Sequence, residues 1–322
     1  LIDGLGFEQF ENSEEKGLVP NLTTFSKRRI HTVAPTTTAT ALTSLTTGKS
    51  PGEHGVVGYK IRTGNQILNA LRWTTGHGSA VNEINPASFQ PVEPFFGSAP
   101  PIVSPAQFHE SGFSSAHLRG GDYLGYWLPS SMPVLINDSL NSGANFVYSY
   151  YDGLDKVGHI HGINDFYDAE VRFIDDLVGK ILACVPNGTA LIVTADHGLV
   201  DVDDSLVTLE TAATDLATAL SGEARFLWFH SKRGAEAELV EILEQLYSQN
   251  GWIRTRDQVL DEGWFGKQVS TIANSRLGDV ALVARNPVAF VPAGKEGPKL
   301  KARHGSLTPA ESYVPLMTML KA

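Results

Sequence analysis

The chain has 322 residues, of which 42% are hydrophobic and 19% charged, enough apolar material for a large buried core. Its formal net charge of −10 argues against a dedicated nucleic-acid scaffold, which would carry a basic stripe. A single cysteine, Cys184, excludes a disulfide framework within the chain.

In chain order, "LIDG" (1–4) has the form of a buried strand ending in a glycine turn, and "NLTTFSKR" (21–28) that of a short helix. "PTTTATALTSLTTGK" follows. Its small and apolar residues Ala39, Leu42 and Leu45 predict a helix beginning near Thr38, with Gly48 at the C-cap. Between about 60 and 133 the periodicity weakens, and the reading is an insertion or cap on a single catalytic domain spanning 1–322. Regular alternation resumes with the strand "ANFVYSYYDG". An amphipathic helix comes next, with Val171, Ile174, Leu177, Val178 and Ile181 on one face, and Cys184 is read as core at its end. "GTALIVTADHG" is a buried strand. It is followed by a strand "EARFLWFH", a helix over 234–249, a strand "GDVALVARN" and a final helix "AESYVPLMTML". Strands alternating with helices predict an α/β fold with a mainly parallel sheet covered on both faces. Ligands of such sheets sit beyond the carboxyl ends of the strands.

Four polar clusters fall at such ends: Asp3; Asp155 and His159 in "DGLDKVGHIHG"; Asp196 and His197 in "TADHG"; and His304 in "RHG". Taken singly, each is compatible with a turn or a surface loop. Together they supply three carboxylates and three imidazoles, the usual ligands of zinc and similar ions, in a number that suits two metals. A metal pair gives one hydroxyl of the threonine run a task, because coordination activates a weak nucleophile. A helix N-terminus beside it suits an anionic phosphoryl group. Thr43, Thr46 and Thr47 read as helix-face hydroxyls; between Thr36, Thr37 and Thr38 the residues alone do not choose.

The motifs "LIDGLG", "PTTTATALTSLTTGKSPGEHGVVG", "DGLDKVGHIHG", "TADHG" and "RHG", in this order, resemble the alkaline phosphatase superfamily, and within it the type I phosphodiesterases/nucleotide pyrophosphatases. The resemblance places the nucleophile at Thr38, three residues after Pro35. It implies one metal held by Asp3, Thr38, Asp196 and His197, and a second held by Asp155, His159 and His304, with zinc the expected ion. The implied reaction is attack of Thr38 on phosphorus, a phosphothreonine intermediate and its hydrolysis by water. The substrate would be a small-molecule phosphate ester.

This sequence departs from the diesterase pattern where Ala39-Thr40-Ala41 replaces Phe-Pro-Asn, which removes a base-clamping ring. Tyr150 matches the family's other base-stacking residue. Tyr59 falls where the diesterases carry a phosphoryl-binding asparagine. A phosphomonoesterase and a phosphonoacetate-type hydrolase are the enzymatic alternatives, and a metal-binding protein with a relic site is the non-enzymatic one. His54 is expected to fix its loop. The aromatics Phe95, Phe96, Tyr123, Tyr126 and Trp127 are read either as a leaving-group pocket or as the insertion's own core. No run of the sequence reaches the ~20 apolar residues of a membrane span. No signal peptide is legible, so a cytoplasmic location is expected, with export left open by the start of the sequence at Leu1.

Overall fold

A computed structural model describes residues 1–294 and 299–322. The sheet that carries most of the polar clusters is mixed. Ile2 bridges in parallel to both Ala195 and Tyr151, and so joins two blocks of strands. On one side lies the strand Ala190–Thr194, whose neighbour Tyr313–Leu320 runs antiparallel to it and to Ser26–His31. On the other side Tyr148–Ser149 pairs in parallel with Pro101–Pro105, which pairs in parallel with Asp122–Tyr126. Helices Phe7–Glu15, Met132–Asn141 and Asp165–Cys184 cover this sheet; Val171, Ile174 and Val178 interlock with Ile2, Val193 and Met317.

A second sheet, of strands Ala217–Glu223, Phe226–Ser231, Val280–Ala284 and Gly251–Thr255, is antiparallel throughout. It is covered on one face by helix Glu236–Tyr247, whose Leu239 and Leu243 are fully buried, and on the other by a core of Trp73, Phe226 and Trp228. Several sheets being antiparallel, the fold is α/β with mixed sheets rather than mainly parallel.

Three local expectations are corrected. "AESYVPLMTML" forms one helical turn, Pro309–Ser312, and then the strand Tyr313–Leu320. Pro315 cannot donate inside a helix, and short apolar runs do not separate helix from strand by spacing. "NLTTFSKR" keeps only a 3-10 turn, Leu22–Thr24, before the strand Ser26–His31. Cys184, at the end of its helix, is exposed rather than core. Within the 60–133 region, residues 60–79 form a four-stranded antiparallel meander, but Pro101–Pro105 and Asp122–Tyr126 are strands of the parallel block. Among the described residues no helix is long and apolar enough to cross a membrane.

Candidate active site

Each polar cluster is positioned by backbone pairing at a strand end. The Asp3 N–H donates to Tyr151 O at 2.9 Å and the Ile2 N–H to Thr194 O at 2.9 Å, which sets Asp3 beside the ends of both neighbouring strands. Gly4 then turns the chain at φ +79°, and a Cβ there would lie 3.1 Å from Asp155 Cα. Glycine is needed for both the left-handed turn and the close approach of the next helix. That helix, Gly153–His161, presents Asp155 and His159 one turn apart on the same side. The same close packing recurs at Gly198, where a Cβ would lie 2.0 Å from Ala310 O.

The threonine run forms the helix Thr38–Thr47, with Thr37 at the N-cap and Gly48 at the C-cap with φ 65°. Hydrogen bonding sorts the hydroxyls. Thr43, Thr46 and Thr47 donate to the carbonyls of Ala39, Leu42 and Thr43, the helix-face role expected of them. Thr36 donates to Ser306 O at 2.7 Å and accepts from the Gly305 N–H, tying down the loop that carries His304. Thr37 lies beside Glu223, whose carboxylate its hydroxyl helps to keep ionised. Thr38 Oγ1 alone of the three reaches the predicted ligands, 3.1 Å from His197 Nε2.

Around it the acidic residues share one design. Asp196 Oδ1 accepts from the N–H groups of Gly4 and His197, and Asp3 Oδ2 accepts from the Tyr150 hydroxyl. The opposite oxygens, Asp3 Oδ1 and Asp196 Oδ2, are buried without a hydrogen-bond donor, as is Asp155 Oδ1. Burial, and then mutual repulsion, raises the carboxyl pKa of Asp3 well above its usual range. Burial likewise raises those of Asp155 and Asp196.

The three histidines are also held alike. Nδ1 of His159, His197 and His304 faces the carbonyl of Ala302, Gly198 and Thr36 respectively, at 2.8, 3.2 and 2.8 Å. A carbonyl only accepts, so Nδ1 carries the proton and Nε2 is left as a bare lone pair. Burial keeps His197 and His304 neutral by pushing their pKa values down. The Nε2 atoms converge on the carboxylates. His197 Nε2 lies 3.4 Å from Asp3 Oδ1 and 3.3 Å from Asp196 Oδ2, His159 Nε2 lies 3.2 Å from Asp155 Oδ2, and His304 Nε2 lies 3.9 Å from Asp155 Oδ1.

Two ligand groups result, Asp3–Asp196–His197 and Asp155–His197–His304, and their donor atoms lie within 4.8 Å of one another in each group. Unpartnered carboxylate oxygens facing unprotonated imidazole nitrogens are an unfavourable arrangement until a cation joins them, so the donor set fits divalent metal ions. Of the seven expected ligands five fall in these groups, with His197 common to both; His159 is in neither but lies 3.2 Å from Asp155, and Thr38, the candidate nucleophile, meets them at His197. Tyr150 is buried and reaches Asp3 through its hydroxyl. The Tyr59 hydroxyl accepts from Asn69 Nδ2 at 2.7 Å and the residue lines the cleft beyond Thr38. His54 fixes its loop as expected, between Ser44 Oγ and the Val56 N–H.

Two hollows meet at Thr38, Leu71 and Asp155. An open cleft of about 840 Å³ is lined by Tyr59, Lys60, Arg72, Glu223 and Arg303. A smaller pocket of about 180 Å³ reaches toward Leu42, Phe108, Phe113, His117 and Tyr148. Tyr150 lines this pocket, but none of the five aromatics weighed as a leaving-group pocket does: Tyr126 is core, and Phe96 and Trp127 are 85% and 86% exposed. Asp3, Thr38, Tyr150 and Asp155 on its wall were singled out in the sequence, whereas Phe108, Phe113 and His117 stand in a stretch without periodicity and gave no signal. Glu223 gave none either. It lies 3.8 Å from His304 Nδ1, and burial raises its carboxyl to about 8.

Comparison with solved structures defines the class. Murine ectonucleotide pyrophosphatase/phosphodiesterase 5 is 16% identical over 98% of this chain and 86% of that one, with a TM-score of 0.75. Phosphonoacetate hydrolase from Sinorhizobium meliloti 1021, in complex with phosphonoformate, is 15% identical over 98% and 88%, also with a TM-score of 0.75. An inactive threonine-to-alanine variant of the murine protein, in complex with AMP, aligns at a TM-score of 0.74 with 15% identity over 98% and 86%. At such identities the likeness is one of fold, that of the alkaline phosphatase-like α/β proteins. The sequence model of the type I phosphodiesterase/nucleotide pyrophosphatase family matches residues 1–131 and 124–307, and the chain belongs to that family of phosphoester hydrolases. Among curated proteins no sequence match is found.

Proposed function

We propose that the protein is a two-metal phosphodiesterase, a single catalytic domain in which Thr38 is the nucleophile. The observation that carries this reading is the Thr38 hydroxyl set 3.1 Å from His197 Nε2, at a helix start, beside carboxylates whose inner oxygens lack donors. Asp3, Thr38, Asp196 and His197 would hold one ion, and Asp155, His159 and His304 the other. Zinc suits this mixture of carboxylate and imidazole donors. When bound, such ions supply charge neutralisation at phosphorus and a lowered hydroxyl pKa.

The chain's own groups do the rest. The first N–H groups of helix Thr38–Thr47 have no intrahelical acceptor and face the phosphoryl oxygens. Thr38 Oγ1 forms a bond to phosphorus as the bond to one ester oxygen breaks, and the departing alkoxide takes up a proton. Water then cleaves the phosphothreonine.

Charge favours a diester. Three aspartates and an ionised Thr38 would offset two divalent ions, so a diester adds one negative charge to the site and a monoester dianion two. A monoester dianion would bring one charge more into a site with few free cations, since Lys156 is paired with Asp152 at 2.5 Å. A phosphonate hydrolase is the second reading, favoured by Lys60 and Arg72 on the open cleft, which could meet a carboxylate. Rates on bis(p-nitrophenyl) phosphate, p-nitrophenyl phosphate and phosphonoacetate separate the readings. The diester is expected to be the best substrate, and Thr38→Ala to lose at least about a thousandfold in kcat. A faster monoester rate would refute the diester assignment. No hydrolysis of any of the three by metal-loaded protein would leave a relic metal site.

A further inference from the structure

The helix that carries Thr38 begins with a residue suited to closing it, yet it is left open. Thr37 occupies the N-cap in an extended conformation, with φ −129° and ψ 142°. A threonine there ordinarily accepts from the N–H of the second or third helical residue. Here its side chain makes no such bond. The first backbone bond of the helix runs from the Ala41 N–H to Thr37 O at 2.9 Å, and the N–H groups of Thr38, Ala39 and Thr40 meet no acceptor among the described residues. Ala39 and Thr40 are fully buried. Buried N–H groups are almost always paired, so open ones on a helix whose Thr38 touches His197 mark a place kept for an oxygen-rich anion.

Beside the Thr37 hydroxyl stands Glu223. It ends the strand Ala217–Glu223, at a tight turn that pairs it with Phe226. Two glycines make room for it. Gly222 has φ +84°, and a Cβ on it would lie 2.1 Å from Phe226 O. Gly305, next to His304, has φ +123°, and a Cβ there would lie 2.7 Å from Glu223 Cδ and displace the carboxyl group. Glycine at both positions lets the turn close and the Glu223 side chain lie against the loop that carries His304. The cations around Glu223 are Arg225, which is locked onto Glu311, and Arg303. Balancing Arg303 is the plainer role for this carboxylate, and it is a role that depends on charge. Contact with the Thr37 hydroxyl depends instead on where an oxygen is placed.

We propose that Glu223 is a positioning residue of the phosphoryl centre: it keeps the Thr37 hydroxyl off the start of the helix, so that the N–H groups of Ala39 and Thr40 stay open to phosphoryl oxygens. The assignment rests on the phosphoryl centre proposed above. It gives the turn of the antiparallel sheet a part in that centre, although Glu223 itself touches neither substrate nor metal.

Calorimetric titration of the full chain with inorganic phosphate, at saturating zinc, reads the open N–H groups by binding alone. One hydrogen bond to a charged group is worth at least about tenfold in Kd. Glu223→Asp keeps the charge and withdraws the oxygen, so it should weaken phosphate binding at least about tenfold, and Glu223→Ala should do the same. Glu223→Gln keeps the length and should stay within about threefold of the wild type. Thr37→Val added to Glu223→Asp should bring the Kd back within about threefold, because no hydroxyl is left to close the helix. A role confined to balancing Arg303 predicts the reverse order, with the aspartate variant near wild type and the glutamine variant weak. Unchanged binding in Glu223→Asp, weak binding in Glu223→Gln, or no recovery on adding Thr37→Val overturns the assignment, and so does a wild type that binds no phosphate. The aspartate and glutamine variants decide even if the alanine variant does not fold. Hydrolysis of bis(p-nitrophenyl) phosphate, followed in parallel, keeps the two readings apart. Turnover with a flat phosphate series sinks the role of Glu223 alone, and the expected order without turnover sinks the hydrolase and leaves that role.

Discussion

Asp196→Asn should stabilise the metal-free protein and destroy its response to metal. Asp196 is fully buried, and its Oδ1 accepts from Gly4 and His197 N–H groups at 3.1 and 3.0 Å. Asparagine keeps that oxygen and puts an NH₂ in place of Oδ2, which lies 3.3 Å from the His197 Nε2 lone pair without a donor of its own. The substitution thus removes a buried negative charge beside Asp155 and Asp3 and replaces an oxygen without a donor by an NH₂ that shares the His197 Nε2 lone pair with the Thr38 hydroxyl, with no change of shape. Relief of one unsatisfied buried group is worth about 1–3 kcal/mol.

The sign follows from linkage. Burial raises the Asp196 pKa in the folded protein, so its contribution is favourable below the unfolded value of 3.8 and is lost as pH rises through the folded value. The gap between variant and wild type should therefore widen with pH, and at pH 8 with a chelator the variant should melt a few degrees higher. Zinc at a thousand times its Kd stabilises the wild type by about 4 kcal/mol. The variant should show little of that increase and negligible diesterase activity. Calorimetry of both proteins, with chelator and with zinc, reads all of these. A chelated variant that melts below wild type, or one that keeps the full zinc-induced rise, would show that Asp196 serves the fold and is not a ligand.

Further substitutions probe the support of the site. Glu311→Gln breaks a bidentate pair with Arg225 in which both side chains are fully buried, and should cost about 3–5 kcal/mol in denaturant unfolding; a loss under 1 kcal/mol would contradict the pairing. Burial lowers the His54 pKa to about 3, so its stabilisation is present above pH 6.5 and lost as pH falls toward that value. Between pH 7 and 5 the wild type should lose about 2 kcal/mol more than His54→Gln, and parallel pH profiles would dismiss the shift. Thr40 is fully buried with an unpartnered hydroxyl, so Thr40→Val should raise the melting temperature slightly; a marked fall would reveal a partner.

The cluster of candidate ligands was legible because metal chemistry admits few residue types, and because strand ends show as apolar runs closing on a polar cluster. Asp196 and His197 follow "LIVTA", and Asp3 follows "LI". The proposed nucleophile was not legible from physics alone. Thr36, Thr37 and Thr38 are adjacent and chemically identical, and only tertiary contacts set one against Ser306, one beside Glu223 and one against His197. Sheet direction escaped for a similar reason: a short, mostly apolar run reads as strand or helix alike, and Tyr313–Leu320 is a strand because two neighbours are there to pair with it. The pocket residues were hidden most deeply. Phe108, Phe113 and Tyr148 come from separate elements, and nothing local in the sequence marks which rings will face the same hollow.

The candidate ligands gather at the ends of parallel strands although the sheet as a whole is mixed, and the reason lies in which strands carry which residues. Asp3, Asp155, Asp196 and His197 stand at or just beyond the ends of the parallel segments joined through Ile2. His304 reaches the site from a loop secured against the antiparallel sheet. Thr36 and Gly305 pair across the joint, Ser306 binds Ala284 O and the Glu311 carboxylate, and Glu311 in turn locks Arg225. The parallel block thus supplies a complete first group, Asp3, Asp196 and His197, while the second depends on how the two sheets are held together. Damage to the joint should therefore release the cation of the second group first. In Glu311→Gln, zinc titration at a temperature where the variant stays folded should show one site near wild-type affinity and one weakened. Equal weakening of both would mean that the two groups are one rigid unit after all, with His197, whose ring stacks 3.7 Å from that of His304, as its hinge.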